Sequence, residues 1–238
     1  MNALLYGIAL QFKMDLRSRS LLITCYLVPL LFFIIMSGVF TSIMPEAKET
    51  LIPSMTVMGI SLGAIIGVPP SLSEIYGTDL KKLYLANHVP LSFGVAVMTI
   101  SAFLHLTIMS IIILFSAPIL YHALPPSNIP LYLISLLGFI IVSLSIACIL
   151  GLFIKDQSKL TMFSQLIFLP SIMLSGIMFP ADLLPSYFAQ LGNLLPATWG
   201  YQLLSLTDIQ VYDVLPLIII FVLACGICII YMKKKQSE

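Results

Sequence analysis

The residues able to do chemistry are few, and each sits in an apolar run. Gly59, Ser61 and Gly63 spell G-x-S-x-G, the spacing around a serine nucleophile, and His105 in the next apolar run could serve as its base. Cys225 and Cys228 spell C-x-x-C, a redox pattern when it accompanies a βαβ unit. Both patterns compete with packing. The serine elbow depends on a strand, a turn and a helix, which a membrane span does not supply, so intramembrane proteolysis by Ser61 and His105 stands only as an alternative activity. Gly59, Gly63 and Gly67 also place small residues on one helix face, where a second helix can approach closely. Cys25, Cys148, Cys225 and Cys228 all lie in apolar runs and read as buried thiols. No catalytic residue and no metal site is assigned.

What is missing points to the energy source. No G-x-x-x-x-G-K-[ST] run is present to cradle nucleotide phosphates, so no cofactor is expected in this chain. No Asp, Glu, Lys or Arg falls in the middle of an apolar run, where ion-coupled carriers place one; such a carrier is the second alternative. His105 reads as a neutral imidazole hydrogen-bonded between helices, because no buried carboxylate partner is visible.

The elements that must hold these residues are membrane spans. Apolar residues make up 60% and charged residues 9%, against roughly 25% charged in a soluble domain, and mean hydropathy is +1.09. Runs at 21–40, 54–70, 92–119, 131–154, 160–179 and 214–232 approach or exceed the roughly 20 residues that cross about 30 Å of hydrocarbon. Helices satisfy their own backbone groups, so an all-α membrane protein with six spans in one domain over 1–238 is expected. Threaded from a cytoplasmic N-terminus, every Lys and Arg except Lys48 falls inside. The expected location is therefore the plasma membrane of a prokaryotic cell, multi-pass, with both termini cytoplasmic. A net charge of +1 with scattered basic groups argues for lipid headgroups and against nucleic acid.

Residues 1–20 carry Leu4, Leu5, Ile8, Phe12 and Leu16 at helical spacing, with Gln11, Lys13, Asp15 and Arg17 off that stripe. This predicts a helix lying in the inner headgroup plane. Between 71 and 91, Ser73 is expected to cap a short cytoplasmic helix with an apolar side of Tyr76, Leu80, Leu83 and Tyr84, ended by Pro90. Pro118 predicts tilt or an early break in the third span, and Pro170 a kink in the fifth, with Ser171 and Ser175 to satisfy the freed carbonyl. Pro180, Pro185 and Pro196 cut 180–213 into short pieces whose leucines prefer the membrane interface to water. Trp199 and Tyr201 then read as outer-leaflet anchors.

Glu74, Gly77, Thr78, Leu80, Lys81, Leu83 and Pro90 resemble the E-x-x-G-T-L-K-x-L…P pattern after the second span of ABC-2 type export permeases, with Asp79 inserted between Thr and Leu. Ser175, Gly176, Phe179, Pro180, Leu184, Pro185, Asn193, Pro196 and Thr198 resemble that family's S-G-x-x-F-P, L-L-P and N-x-L-P-x-T signature. The resemblance implies a permease that pairs with a second permease subunit and docks a separate ATPase subunit, which binds ATP and Mg, through Glu74, Gly77, Thr78, Leu80, Lys81 and Leu83. It also implies re-entrant outer-leaflet helices between spans five and six. Scattered Met, including Met162, Met173 and Met178, suits hydrophobic or amphipathic cargo such as drugs, lipids or peptides.

Overall fold

The computed structural model describes residues 3–77, 89–178, 185–208 and 210–237, with 84, 86 and 87. Among these, every regular element is a helix. They are α1 Ala3–Arg17, α2 Arg19–Ile43, α3 Leu51–Gly77, α4 Leu91–Tyr121, α5 Ile129–Phe153, α6 Gln157–Leu174, α7 Ser186–Gly192, α8 Pro196–Ser205 and α9 Val211–Ser237. Five of them, α2, α3, α4, α5 and α9, are long and apolar enough to cross a membrane. α6 falls short because Gln157, Lys159, Ser164 and Gln165 dilute its apolar run and its 18 residues rise about 27 Å.

α3 is the centre of the bundle: 94% of its most apolar stretch is buried, against 11% for α9, which lies at the periphery. α2, α4, α5, α6 and α8 all pack on α3. Small residues permit the closest approaches. A Cβ at Gly151 of α5 would lie 2.9 Å from the Pro69 carbonyl and 2.6 Å from the Leu72 Cβ, so the two backbones are nearly in contact. Some buried hydroxyls are bonded between helices, as in Tyr132 Oη donating to Thr56 Oγ1 at 2.9 Å.

Two helices change pitch, and proline explains both places. α2 carries a π turn at Ile23–Leu27 just before Pro29, and α3 carries one at Gly63–Gly67 just before Pro69 and Pro70. Proline removes one N–H and drives its ring into the carbonyl four residues back; a wider turn relieves that clash without ending the helix. The helix of the second span therefore runs on through its prolines to Gly77. Ser73 lies inside it and is no cap: its hydroxyl donates to the Ile154 carbonyl at 2.8 Å, joining α3 to the end of α5. α4 likewise passes through Pro118 and stops only at His122, whose left-handed φ of 54° turns the chain. α6 continues through Pro170; Ser171 Oγ is buried with no partner among the described residues, while Ser175 Oγ donates to Ile172 O at 3.0 Å.

α1 turns only part of the predicted stripe toward the bundle: Ile8 and Phe12 are half-buried. Leu4, Leu5 and Leu16 are exposed, whereas Asp15 is the helix's one buried residue, and Gly7 lies close to Phe93 and Val97 of α4. α4 explains this: its 31 residues rise about 46 Å, longer than the hydrocarbon core, leaving its first turns as a surface against which α1 packs.

Candidate functional site

At one end of the bundle, α3 presents the start of the predicted ATPase-docking segment. Glu74 is exposed, and Gly77 sits over Lys155, with its side chain 3.6 Å from where a Cβ would be. The hydroxyl of Tyr76 donates to the Leu91 carbonyl at 2.5 Å, so this end of α3 is tied both to the start of α4 and, through Ser73, to the end of α5. Thr78, Leu80, Lys81 and Leu83 lie outside the described residues, as do Phe179, Pro180 and Leu184.

The second signature occupies the far end. Ser175 closes α6 and Gly176 follows with φ 85°, a conformation glycine adopts without a Cβ clash, so S-G is the device that turns the chain off the helix. Pro185 flanks the start of α7, and Pro196 opens α8, where a missing N–H costs nothing. Thr198 Oγ1 donates to the Gly192 carbonyl at 2.6 Å, and Trp199 Nε1 donates to the Asn193 carbonyl at 2.7 Å. The segment from Gly192 to Trp199 is thereby closed on itself. Gly200 lays α8 flush on Phe139, while Phe188, Leu191 and Leu194 stay exposed. Beside Gly176 and Tyr201, the ends of α2 and α3 enclose a cavity of about 540 Å³ that Phe40, Glu46, Thr50 and Met178 also line.

The glycine face of α3 lies against two helices. Met109 of α4 covers Gly59, Leu106 of α4 covers Gly63, and Cys25 and Thr24 of α2 cover Gly67. The two π turns thus face each other across Cys25 and Gly67. Ser61 sits mid-helix, with no strand or turn to form a nucleophile elbow. His105 is engaged elsewhere.

The partner of His105 is where sequence reasoning missed a residue. Its Nδ1 is 2.8 Å from Tyr26 Oη, and Phe12 stacks on its ring at 4.3 Å with a 4° interplanar angle. A carboxylate is present after all: Asp15 Oδ2 lies 3.8 Å from His105 Nε2 and accepts from Ser101 Oγ at 2.5 Å, while Oδ1 accepts from Gln11 Nε2 at 2.8 Å. Placing Asp15 on a headgroup-facing side hid it; the only signal in the sequence was the Gln11–Asp15 spacing of four, which puts both on one helix face. Among the described residues, no group of three or more His, Cys, Asp or Glu is placed to hold a metal ion.

Residues 4–207 match the family model described as ABC-2 type transporter, a span that ends before α9. No curated protein matches the chain.

Proposed function

Because the chain belongs to the ABC-2 type transporter family, and is therefore the membrane component of an ABC transporter, we propose that it is the permease subunit of an ATP-driven exporter of hydrophobic or amphipathic cargo. It works with a separate ATPase subunit and with a second permease, either a copy or a close relative. α6 serves as the sixth span, α1 packs at the inner headgroup boundary, and α7 and α8 re-enter the outer leaflet, which accounts for exposed Phe188, Leu191 and Leu194. Both termini are cytoplasmic by the distribution of Lys and Arg.

The observation that carries this reading, beyond the family match, is the end of α3. One continuous helix runs from the outer cavity, past the facing π turns, to exposed Glu74, so a force applied at Glu74 and the segment after it is transmitted along a rigid element. Cargo of mixed polarity suits the outer cavity, whose wall combines Phe40 and Met178 with Glu46 and Thr50. The test is charge reversal at Glu74 and Lys81 in cells expressing permease and ATPase. Insertion is expected to persist while co-purified ATPase and ATP-dependent efflux from vesicles are lost; wild-type stoichiometry in the Glu74→Lys variant defeats the reading.

A further inference from the structure

α9 packs along α5 and α8 and only lightly on α4, so a slot is left between α4 and α9 with α5 as its floor. It encloses about 520 Å³. Small side chains make the room: Ala96 of α4, Cys148 of α5 and Cys225 of α9 line it where longer ones would close it. Along α4 the lining runs from Ser92 to Phe103, and along α9 from Met232 back to Phe221. Each run rises about 16 Å at 1.5 Å per residue, which is the depth of one leaflet in a hydrocarbon core of about 30 Å. The Ser92 and Met232 ends share one membrane boundary. The Tyr76 hydroxyl ties the start of α4 to the end of α3, Ser73 ties that end to the end of α5, and Tyr231 of α9 lies 4.3 Å from Phe153 of α5.

The slot suits an apolar occupant. Among the described residues no charged side chain lines it, and its polar atoms are engaged: Thr99 Oγ1 is 3.4 Å from Cys148 Sγ, and Ser145 Oγ donates to the Val142 carbonyl at 2.7 Å. A hydrocarbon chain fills such space without needing a hydrogen bond. Ile100, Ile141 and Ile229 along the rim are exposed, so the slot opens sideways and a chain enters it from the bilayer. Charge lies at the Met232 end. Lys233 follows Met232 directly and stands four residues past Ile229, on the same helix face one turn on; it and Lys234 are exposed. Basic side chains at a span end, beside a seat for one chain, complement a phosphate esterified to that chain.

We infer that the slot between α4, α5 and α9 binds one anionic phospholipid, with an acyl chain along the slot and the phosphate at Lys233 and Lys234, in the leaflet that meets the C-terminal end of α9. Lipid that merely coats the bundle has no headgroup preference; lipid in this slot is selected by charge and held in one place. The inference involves neither an ATPase nor a cargo, so it stands or falls apart from the transport reading.

The experiment uses the full wild-type chain in phosphatidylcholine vesicles carrying a trace of phospholipid with a photoreactive diazirine in one acyl chain, its headgroup either phosphatidylglycerol or phosphatidylcholine. After irradiation the cross-linked peptides are mapped by mass spectrometry. Slot residues are expected to be labelled about fivefold more by the phosphatidylglycerol probe, the worth of a basic side chain beside an anionic headgroup. Exposed Ile34 of α2, outside the slot, is expected to be labelled equally by both probes. Equal labelling of the slot by the two probes means boundary lipid only and overturns the site without any variant having to fold. With Lys233→Gln and Lys234→Gln together, slot labelling is expected to persist and its headgroup preference to vanish. In Ala96→Phe, which fills the slot, labelling there is expected to be lost while that of α2 is kept. A preference that survives the first change, or slot labelling that survives the second, also overturns the site.

Discussion

Thr198 shows how a signature residue acts through geometry. Its hydroxyl reaches back six residues to the Gly192 carbonyl, and both lie in a buried turn where no water replaces the bond. Thr198→Val keeps the shape and removes one donor; the Gly192 carbonyl still accepts from the Leu195 N–H at 2.9 Å, so the loss is one net hydrogen bond, about 0.5–1.5 kcal/mol. The expected outcome is a lower midpoint in a thermal unfolding scan of the detergent-solubilised protein, with Thr198→Ser close to wild type. At this scale the sequence was only partly readable. Gly176 and Pro196 announce a turn and a helix start by their types alone, whereas Asp15 could not be placed: helical spacing says which residues share a face, but not which face meets protein.

Two glycines of α5 separate packing from propensity. A Cβ at Gly151 meets the backbone of α3 at Pro69, which has no rotamer to give way, whereas a Cβ at Gly138 meets nothing within 4 Å in this chain. The same change, glycine to alanine, is therefore expected to act in opposite directions on one helix. Gly151→Ala should destabilise by about 1–3 kcal/mol as α3 and α5 are forced apart; Gly138→Ala should be neutral or stabilise by up to about 1 kcal/mol through helix propensity. Thermal midpoints of the two variants against wild type decide it. The spans themselves were legible to within a few residues for α2, α4, α5 and α9, because an uninterrupted apolar run admits no other backbone-satisfying form. α3 was misjudged by seven residues at its end. Its prolines and polar tail read as a loop, whereas long-range contacts invisible in the sequence, Ser73 to Ile154, Tyr76 to Leu91 and the buried Leu72, support that tail as helix.

For the whole molecule, orientation is the property on which the proposed function depends. Cys25 and Cys148 are buried, and Cys225 and Cys228 sit within α9, so background labelling by a water-borne thiol reagent should be low. A cysteine placed at Glu46 is expected to react with a membrane-impermeant maleimide in intact cells, whereas one placed at Ser158 should react only after permeabilisation. The reverse pattern would invert the permease and detach its docking surface from any cytoplasmic ATPase.

The paired π turns carry a consequence for that docking surface. Each holds one residue more than an α turn needs, so a return of Gly63–Gly67 to ordinary pitch would swing everything beyond it by about 100° about the axis of α3. Ser73 would then turn away from Ile154 and Glu74 would point to a new quarter. A slip of a single residue, in the middle of a helix that otherwise cannot bend, would be enough to reset the grip at its far end.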